Sequence, residues 1–423
     1  MEIFGGVIPI TGITFFMFSI FAIILCGYAL GRISIKGISL GDAGVFIVAL
    51  IFGCLFYDKL DSQFVIKDAI TSEVIGSFTK NALKIVENLG LILFVTSVGF
   101  IAGPKFFGNF KKNFKSYVLL AVVVILAGGL TAAGCIMFGR GVMGETNHEE
   151  FTAIVSGLFA GALTSTPAFS AAKATVDAAY ESAVSVGLGI AYIFGVIGVV
   201  LFVQIVPKIA RANMDEERKK LVSSAEEKAE KKEKLARKLL DIDGHGIAAF
   251  ALAAIVGVFV GMIKIPLTKN GLSGTCFSLT TTGGCLLTAL VFGHFAHIGP
   301  INVTPKESTL KIFKELGLIL FLTGAGIAGG AEFVKLFKFS YFIYGMIMTI
   351  VPMLIGFFFA KYVLKLSLLN NLGSLTGAMT STPALGTLIG VSKTDDVAAA
   401  YAATYPIALV AVVLVSQFLV IIF

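Results

Sequence analysis

Gly161-Ala162-Leu163-Thr164-Ser165-Thr166-Pro167-Ala168 and Gly377-Ala378-Met379-Thr380-Ser381-Thr382-Pro383-Ala384 are one motif written twice, at an offset of 216 residues. Both copies lie inside apolar runs. A proline there removes a backbone N–H and clashes with the preceding turn, and the residue before it is pushed away from helical angles. Each copy therefore predicts a broken helix. In hydrocarbon the backbone groups freed by a break are costly, and they persist only where they line an enclosed or watery cavity. The helix that restarts after the break turns its N-terminus into that cavity, with unpaired N–H groups and a partial positive charge, and the Thr and Ser hydroxyls add donors. Such a site suits an anion, for example a carboxylate. The plainer reading is a transmembrane helix kinked by Pro and rescued by local hydroxyls; two copies at matching places favour a site.

The chain repeats itself around these blocks. Leu83-Lys84-Ile85 to Gly103 matches Leu310-Lys311-Ile312 to Gly330 at an offset of 227, including Leu89-Gly90-Leu91-Ile92-Leu93-Phe94 against Leu316-Gly317-Leu318-Ile319-Leu320-Phe321. Ala49 to Gly53 matches Ala289 to Gly293, and Tyr192 and Gln204 correspond to Tyr405 and Gln417. Four blocks recur in the same order, the mark of a duplicated unit.

Of the 423 residues, 57% are hydrophobic and 14% charged, and the mean hydropathy is +0.93. That excludes an ordinary soluble enzyme. Twelve apolar segments are read at 12–31, 43–57, 89–107, 117–138, 151–171, 183–207, 247–263, 276–293, 316–330, 340–360, 371–390 and 398–423, most long enough to cross about 30 Å of hydrocarbon. The net charge of +7 is what basic cytoplasmic loops give a membrane protein, and nucleic-acid binding is not expected. Met1-Glu2 leads into the first apolar run without a basic signal region, so that run is expected to be a retained helix. The five cysteines fall in or beside apolar runs without a CxxC pair, so neither disulfides nor a metal site is expected, and no cofactor is called for.

These features predict an all-α polytopic membrane protein of three parts: an N-terminal repeat over 1–207, a charged cytoplasmic linker over 208–245 and a C-terminal repeat over 246–423. From Lys208 to Asp243 there are eleven Lys/Arg and nine Asp/Glu, a composition for a solvated helix rather than a domain. Arg32, Lys36, Lys105, Lys111, Lys112 and Lys115 mark cytoplasmic loops, and Glu145, Glu149 and Glu150 an outside loop. Segments five and six must then make one net crossing. Each half is accordingly expected to have five crossings plus one re-entrant, proline-broken segment, which inverts the halves and places both termini outside; six full crossings per half would make the halves parallel instead. In that arrangement the two restarted helices meet from opposite sides and form clamps for two carboxylates.

Two joined repeats with broken helices are the pattern of secondary transporters, whose site lies at the repeat interface near mid-bilayer. The substrate-binding candidates are Gly161, Thr164, Ser165, Thr166, Pro167, Gly377, Thr380, Ser381, Thr382 and Pro383. Lys173 and Lys393 are candidate charge partners; as loop residues beside Asp177, Glu181, Asp395 and Asp396, they could equally snorkel to water. Thr96 and Thr323, with Tyr192 and Tyr405, are candidates for lining the site or for inter-helix hydrogen bonds. No Asp or Glu lies inside any of the apolar segments as drawn, which favours exchange over proton coupling. A sodium- or proton-coupled carboxylate symporter is the first alternative and an anion channel the second. No HExxH or GxSxG pattern and no paired intramembrane aspartates argue for an enzyme, so no catalytic residue is assigned.

The doubled G-A-x-T-S-T-P-A block and the G-L-I-L-F blocks, over residues 20–207 and 247–420, resemble the aspartate:alanine exchanger family of bacterial carriers. The resemblance implies an inner-membrane exchanger of small carboxylates such as aspartate, alanine or succinate, a homodimer, Thr-Ser-Thr-Pro residues in the translocation path and an elevator-like motion. Many members carry a large hydrophilic region between the halves. This chain has about 36 residues there, which puts regulation through such a region in doubt.

Overall fold

A computed structural model describes residues 2–3, 8–35, 38–39, 41, 43–67, 74–108, 114–142, 144–219, 221, 240–266, 276–394 and 396–423. Most of the charged linker, residues 222–239, lies outside the described residues. The twelve apolar runs become fourteen helices, because the two motif-bearing runs each split. In the first half these are α1 (Gly12–Gly31), α2 (Ala43–Asp61), α3 (Thr79–Gly108), α4 (Phe114–Gly141), α5 (His148–Ala162), α6 (Thr166–Thr175) and α7 (Glu181–Ile209). After a short α8 (Met214–Lys219) come α9 (Ile247–Gly261), α10 (Thr280–Phe295), α11 (Glu307–Leu336), α12 (Phe339–Phe358), α13 (Leu368–Ala378), α14 (Thr382–Ser392) and α15 (Val397–Ile422). Among the described residues seven helices are long and apolar enough to cross a membrane: α1, α3, α4, α7, α11, α15, and α12 with the π-turn that continues it to Val363. Small two-stranded hairpins join α1 to α2, α2 to α3, and the equivalent pairs α9 to α10 and α10 to α11.

The helices pair across the halves as the repeat requires. α3 and α11 cross at Gly90 and Gly317, the equivalent glycines of the G-L-I-L-F blocks. A Cβ at Gly90 would stand 2.6 Å from the Gly317 carbonyl, and one at Gly317 2.6 Å from the Gly90 carbonyl. Only glycine permits that approach. Gly99 of α3 then faces Ala289 of α10, while its counterpart Gly326 of α11 faces Ala49 of α2. A two-fold relation thus runs through α1–α3 and α9–α11, with small residues at each seam.

Contacts along the helices give their directions. Gly157 of α5 lies against Val184 of α7, and Gly161 against Leu188 and Tyr192, so α5 and α7 run the same way. The Gly373 contact with Ala400 and the Gly377 contact with Thr404 give the same for α13 and α15. Only residues 176–180 separate α6 from α7, and so α6 ends beside the start of α7. The starts and ends of these helices gather at two places. At one end of the molecule Arg140 donates to the carbonyl of His148, where α5 begins, and to that of Phe423, after α15 ends. At the other end Glu217, beyond α7, accepts the backbone N–H of Leu368, where α13 begins. Lys338 marks the first end by pairing with Glu145.

Candidate functional site

The motif breaks its helix three residues before the proline. Leu163 ends α5, Thr164 takes a left-handed backbone with φ 52°, and Ser165 returns to an extended one. The Ser165 N–H donates to the Ala160 carbonyl at 2.8 Å and the Thr164 N–H to the Gly161 carbonyl at 3.0 Å, the double closure that normally ends a helix on glycine. Met379, Thr380 (φ 51°) and Ser381 repeat it, with Ser381 N–H to the Thr376 carbonyl at 3.0 Å and Thr380 N–H to the Gly377 carbonyl at 3.1 Å. Pro167 and Pro383 then fall in the first turns of α6 and α14, where a missing N–H costs nothing.

The two breaks touch. Thr164 Oγ1 donates to the Met379 carbonyl at 3.2 Å, and Thr380 Oγ1 to the Leu163 carbonyl at 2.9 Å. These reciprocal bonds join positions 215 and 217 residues apart in sequence. Thr349 of α12 takes another freed carbonyl, that of Ala162, at 3.4 Å. The released carbonyls of Ala162, Leu163 and Met379 are therefore answered from across the repeat interface, as buried backbone groups require. α6 and α14 both start here and lead away toward opposite ends of the molecule, so two helix N-termini share one buried place. Of the serines that precede them, Ser165 caps α6 by accepting the Ala168 N–H at 3.4 Å. Ser381 is fully buried and its hydroxyl has no hydrogen-bond partner among the described residues.

Comparison with known proteins follows the same two blocks. The aspartate–alanine exchanger family, described as Predicted Permease Membrane Region, matches residues 19–208 and 249–421. The chain belongs to this family. Transporters of uncharacterized function in Bacteroides thetaiotaomicron (26% identical), Bacteroides fragilis (27%) and Desulfotalea psychrophila (24%) are similar over 95–96% of this chain and 96–97% of their own length. The alignments with the two Bacteroides proteins span 554 positions, more than the 423 residues of this chain, so those relatives carry residues that it lacks. The family match pauses at 209–248, across the short linker. The protein is thus a multi-pass membrane protein of a transporter family.

Within this exchanger-family chain the remaining candidates separate. Thr166 is half-buried at the start of α6, with its carbonyl accepting from Ser170; the side chains of Thr382 and Pro383 lie outside what is described. Gly161 and Gly377 are seams, against α7 and α15 respectively. Lys173 is no loop residue: it sits in the last turn of α6, buried, and Glu87 of α3 engages it. Lys393 is exposed at the end of α14. The Thr323 hydroxyl is spent on its own helix, at the Ile319 carbonyl, and Thr96 is buried one turn before Gly99 on the α3 seam. Tyr192 adjoins Gly161, and Tyr405 stacks on Tyr401, the residue against Gly377.

Two features were not read from the sequence. Glu87 falls just outside the apolar segment drawn at 89–107, yet it is buried inside α3, which begins ten residues earlier at Thr79. A cavity of about 350 Å³ also opens at the end of α7, lined by Gln204, Lys208, Arg211 and Val391 of α14. Its two cations belong to the sequence-predicted linker, where they passed for ordinary solvated charge.

Proposed function

We propose that the chain exchanges small carboxylates or acidic amino acids across the bacterial inner membrane, and that the substrate binds where the two helix breaks meet. The observation that carries this reading is the pairing of the breaks: the N-termini of two helices of 10 and 11 residues meet beside the buried hydroxyl of Ser381, which has no partner among the described residues. Converging N-termini offer N–H donors and positive potential to two carboxylate groups or to the ends of a dicarboxylate. The 15 residues of α5 and 11 of α13 reach about 22 and 16 Å, too short to cross about 30 Å of hydrocarbon. With α6 and α14 returning to the starts of α7 and α15, this supports two re-entrant hairpins in inverted halves of five crossings each, the basic linker being cytoplasmic. Dimerisation and an elevator-like motion are part of the reading through the family.

Ser381→Ala tests the site. In proteoliposomes it is expected to lower uptake of labelled aspartate or succinate at least tenfold, while the protein remains monodisperse in detergent. Wild-type uptake by this variant would remove Ser381 from the path and, with it, the support for binding at the breaks.

One observation favours a second reading, proton-coupled carboxylate symport. Glu87 is a buried acid within a membrane-spanning helix, a group of the kind proton-driven carriers use. Its engagement by Lys173 makes the pair neutral as a unit, and exchange stays the better supported reading.

A further inference from the structure

The two hairpins are seated unequally on the helices that carry them. Lys173 of α6 (6% exposed) places Nζ 2.8 and 2.9 Å from the two carboxylate oxygens of Glu87 on α3 (7% exposed). One turn away Phe169 packs against Phe46 of α2 and Phe321 of α11, with ring centroids 6.3 and 5.4 Å apart. Lys84 of α3 also meets Glu181 at the start of α7, at 3.0 Å. The repeat fixes what the second half has at these places: Lys314 for Glu87, Ile389 for Lys173, Lys311 for Lys84 and Thr394 for Glu181. Neither ion pair has a counterpart. The packing differs too. Gly189 of α7 lies against Phe46 and Leu50 of α2, whereas α10 touches α15 through Gly283 and Val413, the counterparts of Ala43 and Val200. The helices α4–α7 and α12–α15 are thus displaced from the two-fold relation that α3 and α11 keep at Gly90 and Gly317.

From this asymmetry we infer that the Glu87–Lys173 pair is a lock between the two bodies. An asymmetric body on a two-fold scaffold has a second seat of the same kind, reached by exchanging the roles of the repeats. In it Leu385 of α14 lies between Leu286 of α10 and Phe94 of α3, as Phe169 now lies between Phe46 and Phe321. The present seat is held by a buried bidentate ion pair that the second seat lacks, and it closes the first hairpin against the end of the molecule marked by Glu145 and Phe423. Removing one partner leaves an uncompensated buried charge in the present seat, whereas replacing both removes the lock without that penalty. The inference rests on the transport reading in one respect: a lock matters only if the body moves.

Accessibility tests it without a transport measurement. In a chain whose five cysteines are replaced by serine or alanine, Ser170→Cys on α6 (Ser170 is 2% exposed) is exposed to a membrane-impermeant maleimide in right-side-out and inside-out vesicles. With Glu87 and Lys173 intact the cysteine is protected from the Glu145 side. The double variant Glu87→Gln/Lys173→Met is expected to raise labelling from that side roughly tenfold, the shift in a two-state balance when a contact made in one seat alone contributes about 1.4 kcal/mol. The exchanged pair Glu87→Lys/Lys173→Glu is expected to restore protection; should it fail to fold, Glu87→Asp is expected to label at an intermediate rate. Unchanged labelling in Glu87→Gln/Lys173→Met overturns the lock. If the variants unlock as described while the unsubstituted chain exchanges no carboxylate, the lock stands and the substrate assignment falls.

Discussion

Thr164 and Thr380 occupy left-handed backbone positions that glycine would hold without strain, and β-branched residues are genuine outliers there. The strain costs on the order of 1–2 kcal/mol per residue. What threonine adds is the hydroxyl that answers the carbonyl of the opposite break. Thr164→Gly is therefore expected to be nearly neutral in stability, since lost strain offsets a lost bond of about 1 kcal/mol. Thr164→Val keeps the strain and leaves the Met379 carbonyl unanswered, and is expected to cost about 1–3 kcal/mol more, read as a lower Tm in detergent. Where the linker meets α9, Asp243 accepts the N–H groups of Ile247 and Ala248, at 2.8 and 3.0 Å. Those bonds, led by the one from Ala248, hold its carboxyl below the usual range. A depressed carboxylate stabilises the fold above the ordinary pKa of about 3.9 and loses that contribution as pH falls further. The Tm difference between wild type and Asp243→Asn should accordingly be greatest near neutrality and shrink below about pH 4. The threonine positions were legible because the motif is written twice; which hydroxyl stays free was not, since Ser165 and Ser381 are the same letter and differ only in what faces them.

Among the helices, the breaks were legible from Thr-Ser-Thr-Pro, though proline proved to start the second helix rather than to end the first. Glu87 was not, because an apolar run is bounded by its charges, and a helix continues past them wherever a partner such as Lys173 waits. The α3–α11 crossing depends on Gly90 and Gly317, equivalent residues that were seen in the repeat without their meeting being foreseen. Gly90→Ala is expected to cost about 1–3 kcal/mol by forcing the helices apart, and Gly90→Leu to abolish folded protein on size exclusion. Folding of Gly90→Leu with a wild-type Tm would refute the close crossing.

For the molecule as a whole, the duplication was legible in four matched blocks, and loop charges in the first half led to the expectation that the halves run oppositely. The relative seating of the two bodies was not legible, because it depends on contacts between helices far apart in the chain, such as Phe169 with Phe321. Opposite halves require opposite accessibility: Ser62→Cys, between α2 and α3, should react only from outside, and Asn213→Cys, after α7, only from the cytoplasm. Labelling of both from one side would contradict the topology. The central claim, exchange of small carboxylates, is tested most directly by counterflow in proteoliposomes. Vesicles preloaded with aspartate, alanine or succinate are followed for uptake of labelled aspartate and succinate, with and without proton or sodium gradients. Uptake that requires an internal substrate and ignores both gradients is the predicted result; uptake into empty vesicles driven by either ion would contradict it and make the protein a symporter.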